Sequence, residues 1–132
     1  MKTKTLTIQT KDRQSMVEIT NEVQAFVDEA SLVDGVVTLF VPHTTAAVTI
    51  NENTDPDVAW DMLHGLTLSL PDRLEYRHAE GNSDAHIKAS IIGVSETIMV
   101  VDGRLTLGTW QGIYFCEFDG PRTRKLLVSA TS

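Results

Sequence analysis

The sequence predicts a mainly β, α+β fold, a compact β-sandwich with about two helices, in a single domain spanning residues 1–132. Short stretches rich in Val, Ile and Thr recur along the chain and are separated by turn residues, which is typical of strands. Only two stretches have clear helical periodicity. The 132 residues suit one domain with a real hydrophobic core, and no linker or repeat divides them.

The N-terminal part predicts a strand, a second strand and a helix. In TLTIQT, Leu6 and Ile8 alternate with polar residues as in a half-buried strand. A short strand follows around residues 15–19. A helix fits residues 20–30, with Thr20 or Asn21 as its N-cap. Its apolar face consists of Val23, Phe26, Val27 and Ala30.

The middle of the chain predicts two strands and the second helix. GVVTLFVPHTTAAVTI is interpreted as a strand, a break at Pro42 and another strand. In NTDPDVAWDMLHGL, Asp55 is the expected N-cap, Pro56 the first helical residue, and Asp57 favours the positive end of the helix dipole. Pro71 ends the helix. Its inward stripe comprises Val58, Met62, Leu63 and Leu66.

The C-terminal part predicts strands alone. HIKASIIGV and ETIMVV are interpreted as strands, and Asp102-Gly103 is a strong hairpin signal between IMVV and RLTL. Residues 111–118 and 125–130 complete a count of roughly eight strands.

Composition excludes some classes of partner. The formal net charge of -7 and the pI of about 4.9 argue against nucleic-acid binding, which needs a basic surface. No apolar run is long enough for a bilayer, and the N-terminus has no signal-peptide core. The lone cysteine, Cys116, allows no internal disulfide and indicates a reducing compartment. We therefore expect a cytoplasmic protein without a nucleic-acid or membrane partner.

Two histidines bracket a short loop in RHAEGNSDAH. His78 and His86 flank Glu80 and Asp84, and Pro42 places His43 at a strand break. Three neutral imidazoles with an open fourth position form an arrangement that zinc uses in catalysis. Neither HExxH nor CxxC is present, so ordinary surface or hydrogen-bonded histidines remain the alternative. His64, late in the second helix, is expected to be exposed.

Strand alternation suggests that polar side chains collect on one surface. In HIKASIIG, His86 and Lys88 share a face, and in YFCEFDG so do Glu117 and Asp119. The alternatives are ordinary ones: solvated loop acids, a plain turn at Asp119-Gly120-Pro121, and a charged strand edge at residues 122–125.

Three long motifs resemble the YjbQ-like family, whose members are commonly labelled secondary thiamine-phosphate synthase enzymes. They are HTTAAVTINEN, RHAEGNSDAHIKASIIG and LGTWQGIYFCEFDGPRTR, in residues 43–53, 77–93 and 107–124. The likeness covers nearly the whole chain. The resemblance implies a β-sandwich that assembles as a homotrimer, with a divalent metal at the histidines, for which zinc is the expected ion.

The resemblance also implies a set of site residues. The metal ligands would be His43, His78 and His86, and the anion-binding side would be Arg122 and Arg124. The residues lining the rest of the pocket would be Glu52, Glu80, Asn82, Asp84, Gln111, Glu117 and Asp119.

The expected enzyme would join a pyrimidine pyrophosphate to a thiazole phosphate and release pyrophosphate. Charge develops on the leaving phosphates, so cations must face them. A histidine-bound metal with Arg122, Arg124 and Lys88 could supply these cations, and Glu52 or Asp84 could act as acid or base. A non-catalytic protein that binds a metal or a small anion, and a metal-dependent hydrolase, remain alternatives.

Overall fold

The computed structural model describes residues 1–132 as eight strands and three helices. The strands are β1 (Lys2–Gln9), β2 (Ser15–Glu18), β3 (Gly35–Phe40), β4 (Ala46–Glu52), β5 (Ser95–Val101), β6 (Arg104–Leu105), β7 (Gln111–Glu117) and β8 (Thr123–Thr131). The helices are α1 (Thr20–Glu29), α2 (Pro56–Ser69) and α3 (Ser83–Ile92).

Two antiparallel sheets face each other across the main core, which confirms the predicted mainly β fold. The first sheet has the strand order β1-β8-β3-β5-β6 and the second β2-β7-β4. Leu39 and Val128 from the first sheet meet Val48 and Phe115 from the second in one cluster of buried apolar residues. The hairpin turn between β5 and β6 is also confirmed, because Asp102 and Gly103 both have positive φ, as a type I′ turn requires.

Helix α1 packs its predicted face into this core. Val23, Phe26 and Val27 are buried. The predicted side-chain cap is wrong, since Ile19 occupies the N-cap and no side chain bonds there. The Thr20 hydroxyl instead donates to Glu18 Oε2 and accepts the Ile113 N–H, each at 2.9 Å. It therefore ties the helix to β7 rather than capping the helix.

Helix α2 begins as predicted but lies at the edge of the molecule. The Asp55 carboxylate accepts the Asp57 N–H at 2.9 Å, and Pro56 is the first helical residue. The predicted stripe is only half-buried, and Leu63 and Leu66 pack against a small second apolar cluster. No helix of the structure has the length and apolar content needed to cross a bilayer.

The segment HIKASIIGV is a helix, so its prediction as a strand is wrong. Helix α3 packs along β4 on the face of the second sheet that points away from the main core. Ala85, Lys88 and Ala89 are buried, at the i, i+3 and i+4 spacing of a helix face. A short apolar run cannot be assigned by periodicity alone. The helical spacing separates His86 from Lys88, which the strand prediction had placed on one face.

Candidate functional site: a histidine and arginine pocket

A polar pocket of about 420 Å³ lies where four segments meet, and none of its eleven lining residues is hydrophobic. These segments are the chain that leaves β3, the loop before α3, the first turn of α3, and the connection from β7 into β8. We call it the histidine pocket. Its lining residues are Pro42, His43, Thr44, Thr45, His78, Glu80, Asn82, His86, Asp119, Arg122 and Arg124.

His43 reaches the pocket because β3 stops early. Phe40 is the last residue of β3 and pairs with Leu127 of β8. The His43 ring then turns back to β8, where its Nε2 accepts the main-chain N–H of Lys125 at 2.9 Å. Burial, followed by the positive charge of Arg124, lowers the pKa of His43 below its usual value. The imidazole is therefore neutral at physiological pH.

His78 and His86 face each other across the loop formed by the RHAEGNSDAH motif, residues 77–86. Their ring centroids lie 5.5 Å apart with the rings perpendicular. The loop bends at Gly81, whose φ of 76° suits glycine, and α3 presents His86 one turn later. Two imidazoles on one tetrahedral zinc, with Zn–N bonds of about 2.1 Å, would have centroids roughly 5 Å apart. The separation of the two ring centroids is therefore close to that of two imidazoles on one ion.

The three histidines are not gathered around one point in this chain. No group of three or more His, Cys, Asp or Glu side chains is placed to hold one ion. His43 Nε2 is occupied by the Lys125 N–H, so this nitrogen has no free lone pair for a metal. His78 and His86 remain the candidate pair for a metal, and the Glu80 carboxylate lies 3.9 Å from His78 Nε2.

Arg124 is buried in the pocket wall. Its side chain donates from Nε to Glu117 Oε1 at 2.8 Å and from Nη2 to Glu117 Oε2 and to Thr45 Oγ1. Nη1 makes no hydrogen bond within the chain. It remains accessible to solvent, since the only sealed side-chain atoms without a partner are Ser15 Oγ and Asn82 Oδ1. Arg124 is thus held in one orientation with one nitrogen free to contact a ligand.

Arg122 lies at the pocket mouth with about half of its side chain exposed. Its Nε donates to the Asp119 carbonyl at 2.8 Å and its Nη2 to Asp119 Oδ2 at 3.0 Å. Asn82 Nδ2 donates to the same carboxylate oxygen at 2.8 Å. Nη1 of Arg122 also makes no hydrogen bond within the chain. Two guanidinium groups that line this pocket therefore each keep a donor without a partner in the chain.

The two carboxylates that hold the arginines are ionised. Burial alone would raise the pKa of Glu117, but hydrogen bonds from Arg124, Thr10 and a main-chain N–H outweigh it and lower the pKa. The pKa of Asp119 is likewise lowered, because the hydrogen bonds from Asn82 and Arg122 outweigh its burial. Glu117 lies beneath the pocket rather than lining it.

Glu52 and Gln111 do not lie at this pocket within one chain. They pair with each other where β4 ends and β7 begins, whereas Ala46 and Glu117 pair at the opposite ends of the same strands. Six residue positions separate these pairs, or about 20 Å along a strand. The expected acid or base role of Glu52 at the histidines is therefore not supported by this geometry.

Asp84 and Lys88 are also outside the pocket, because α3 turns them inward. Asp84 is 2% exposed and Lys88 fully buried. Asp84 accepts from Arg13 Nη2 at 3.1 Å and lies 3.4 Å from Lys88 Nζ. The expected acid or base role of Asp84 placed it in the loop between His78 and His86, and the expected substrate contact of Lys88 assumed an exposed strand face. The structure instead places them in an internal ion-pair cluster.

Three polar residues that sequence reasoning missed hold the site together. Thr45 Oγ1 accepts from Arg124, the Thr10 hydroxyl donates to Glu117 Oε1 at 2.7 Å, and Arg13 holds Asp84. All three lie far along the sequence from their partners. Threonine is common in strands for other reasons, so no local signal distinguished them.

The fold and the pocket define a compact, mainly β α+β domain with a polar site built from histidines and paired arginines. The chain belongs to the UPF0047 YjbQ-like family, whose model matches residues 4–132. It is 55% identical over 126 residues to UPF0047 protein YugU of Bacillus subtilis, covering 95% of this chain and 96% of YugU. It is 49% identical over 121 residues to UPF0047 protein MJ1081 of Methanocaldococcus jannaschii, covering 92% and 88%.

Solved structures of relatives have the same fold. A YjbQ/UPF0047 family protein from Clostridium acetobutylicum superposes with a TM-score of 0.94 at 50% identity, covering 96% of this chain and 98% of that one. The protein APE1520 from Aeropyrum pernix superposes with a TM-score of 0.95 at 36% identity, covering 100% and 99%.

Proposed function

We propose that the histidine pocket binds a small phosphorylated molecule and is the site of a metal-assisted enzyme of the thiamine-phosphate synthase type. Such an enzyme joins a pyrimidine pyrophosphate to a thiazole phosphate and releases pyrophosphate. The observation that carries the proposal is the placement of two arginines, each with a free Nη1, in the same pocket as the perpendicular histidine pair.

The arginines suit a phosphate group. A guanidinium group is always charged and presents several donors in a plane, which matches phosphate oxygens. Arg124 is held by Glu117 and Thr45, so little side-chain entropy is lost when a ligand binds. The protein as a whole is acidic, with a net charge of -7. A phosphorylated ligand is therefore attracted by these local cations rather than by the overall charge.

The metal belongs to this proposal through His78 and His86, and zinc is the first ion to test. When bound, a divalent cation neutralises charge on phosphate oxygens. Among the pocket carboxylates, Asp119 is occupied by Asn82 and Arg122, whereas Glu80 has no arginine partner. Glu80 therefore replaces Glu52 and Asp84 as the proposed acid or base.

The second candidate is a protein that binds an anion without turnover. The engagement of Glu117 by Arg124 and of Asp119 by Arg122 favours it, because carboxylates held in ion pairs are not available to act as an acid or base. A metal-dependent hydrolase is the third reading. Titration with phosphate anions distinguishes a ligand-binding protein from one in which the ion pairs are purely structural. Turnover assays with and without zinc then distinguish an enzyme from a protein that only binds the anion.

Calorimetric titration with phosphate and pyrophosphate tests the proposal. Wild type should bind pyrophosphate, Arg122→Ala should bind at least about tenfold more weakly, and Arg122→Lys should not restore binding, because lysine lacks the forked donors. Arg104→Ala is the matched control, since Arg104 is exposed on β6 and does not line the pocket. Wild type that binds neither anion would refute the phosphate site.

We also propose that the protein is a cytoplasmic homotrimer. The outer face of the five-stranded sheet supports self-association, since Leu127 lies between Thr5 and Phe40 in one cross-strand row. Met99 pairs with Val36 nearby, and Phe40, Met99 and Leu127 are exposed. Sedimentation velocity should give a trimer for wild type and a smaller species for Met99→Glu. A monomeric wild type would refute the trimer.

A further inference from the structure

His43 occupies a main-chain hydrogen-bonding position at the edge of the sheet. β3 pairs with β8 as far as Phe40 and Leu127, and continuing that register would place Pro42 opposite Lys125. The chain leaves the ladder at this point. The Lys125 N–H would then lack an acceptor on this side, and His43 Nε2 supplies one at 2.9 Å.

This bond selects one form of the imidazole. A main-chain N–H can only donate, so His43 Nε2 must carry its lone pair. In a neutral imidazole the proton then lies on the other nitrogen, Nδ1. Burial and the charge of Arg124 favour the neutral ring as well. Nδ1 makes no hydrogen bond within the chain and is not sealed from solvent.

We propose that His43 is a ligand-binding residue that donates its Nδ1–H to an oxygen of the bound anion, and that it is not a metal ligand. This inference rests on the proposed function for the existence of the anion. Three nitrogen donors on residues that line the pocket make no hydrogen bond within the chain: His43 Nδ1, Arg122 Nη1 and Arg124 Nη1.

The three donors favour a terminal phosphate as the group that is bound. A terminal phosphate presents three oxygens and can take one donor on each, whereas a carboxylate would have to accept two of the three donors on one oxygen. The ligand is therefore expected to carry a terminal phosphate, as a monoester or as the end of a pyrophosphate. The metal, if held by His78 and His86, contacts the ligand independently of His43.

The tautomer is tested by long-range ¹H–¹⁵N correlation spectra of the histidine rings in the metal-free protein. The His43 signals, identified by their absence in His43→Asn, should show a protonated Nδ1 and an unprotonated Nε2. Addition of zinc alone should shift the signals of His78 and His86 and leave the nitrogen pattern of His43 unchanged. A proton on Nε2, or zinc coordination by His43, would overturn the inference.

Binding of pyrophosphate to the metal-free protein tests the donor role. The asparagine amide can replace a donor at the Nδ1 position, so His43→Asn should bind within about threefold of wild type. His43→Ala should bind at least about tenfold more weakly, since hydrogen bonds to charged groups are strong. Zinc content should stay at the wild-type level in both variants and fall in His86→Ala.

The outcomes separate this inference from the proposed function. Pyrophosphate binding by wild type with equal affinity in His43→Ala would overturn the role of His43 and leave the phosphate site in place. Failure of wild type to bind pyrophosphate would overturn both. If His43→Ala lost as much zinc as His86→Ala, His43 would be a metal ligand. That result would overturn the inference about His43 and leave the proposed function in place.

Discussion

Arg124 and Glu117 form an ion pair directly beneath the histidine pocket, with side chains that are only 5% and 0% exposed. Arg124 is near the start of β8 and Glu117 at the end of β7, so the pair closes the connection between these strands. Each buried charge of the pair is balanced by the other, and Arg124 Nη1 makes no hydrogen bond within the chain. The guanidinium group that stabilises this connection is therefore also the one proposed to contact the ligand.

Glu117→Gln should strongly destabilise the protein. The substitution leaves the Arg124 charge buried without its counter-ion, and breaking a buried pair in this way typically costs about 3–5 kcal/mol. Urea unfolding measures the loss. Glu29→Gln is the control, because Glu29 pairs with Lys4 on the surface, where an ion pair is worth at most about 1 kcal/mol. Similar losses in both variants would contradict the prediction.

The protein should lose stability in acid, in part through Asp119. Its pKa in the folded protein lies below the ordinary value, so its contribution is complete above the unfolded pKa of about 3.9 and is lost as the pH falls below it. Glu117 acts in the same direction. Thermal unfolding between pH 7 and pH 3 should show a shallower fall in Tm for Asp119→Asn than for wild type. Parallel curves would count against it.

Asp84 and Lys88 should respond to substitution very unequally. Asp84→Ala leaves the fully buried Lys88 without its carboxylate partner and should cost about 3–5 kcal/mol. In Lys88→Met, Asp84 keeps Arg13 as a partner, and the methionine fills similar space. This variant should therefore lose less than about 1.5 kcal/mol or gain stability. The midpoints of denaturant unfolding measure both losses of stability. A larger loss in Lys88→Met than in Asp84→Ala would contradict the prediction.

Metal content should depend on His86 and not on His64. His64 is exposed on α2, where its ring stacks on Trp60 with centroids 4.7 Å apart, and it does not line the pocket. His86 shares the pocket with His78. Elemental analysis after zinc loading should therefore find wild-type zinc in His64→Ala and less in His86→Ala. Equal loss of zinc in both variants would contradict the assignment of zinc binding to His86 and not to His64.

Where a short segment contains its own hydrogen-bonding partners, the sequence predicted the structure. Asp55 caps α2 through a main-chain N–H two residues away, and Asp102-Gly103 forms its turn from its own backbone angles. The apolar face of α1 also followed from spacing. The segment around residues 86–94 failed because its apolar run fits a strand as well as a helix, and only packing against β4 decides between them.

By itself, the amino-acid sequence determined the fold class, the start of α2, the apolar face of α1, and the histidines and arginines worth examining. Only the tertiary structure decided which of those residues meet. His43 finds Lys125, Thr10 finds Glu117, and Arg13 finds Asp84 across at least 71 residues of sequence. Such contacts depend on how sheets and helices pack, and local spacing carries no information about them. For the same reason, Glu52 and Asp84 had the right chemistry for an acid or base but lie outside the pocket.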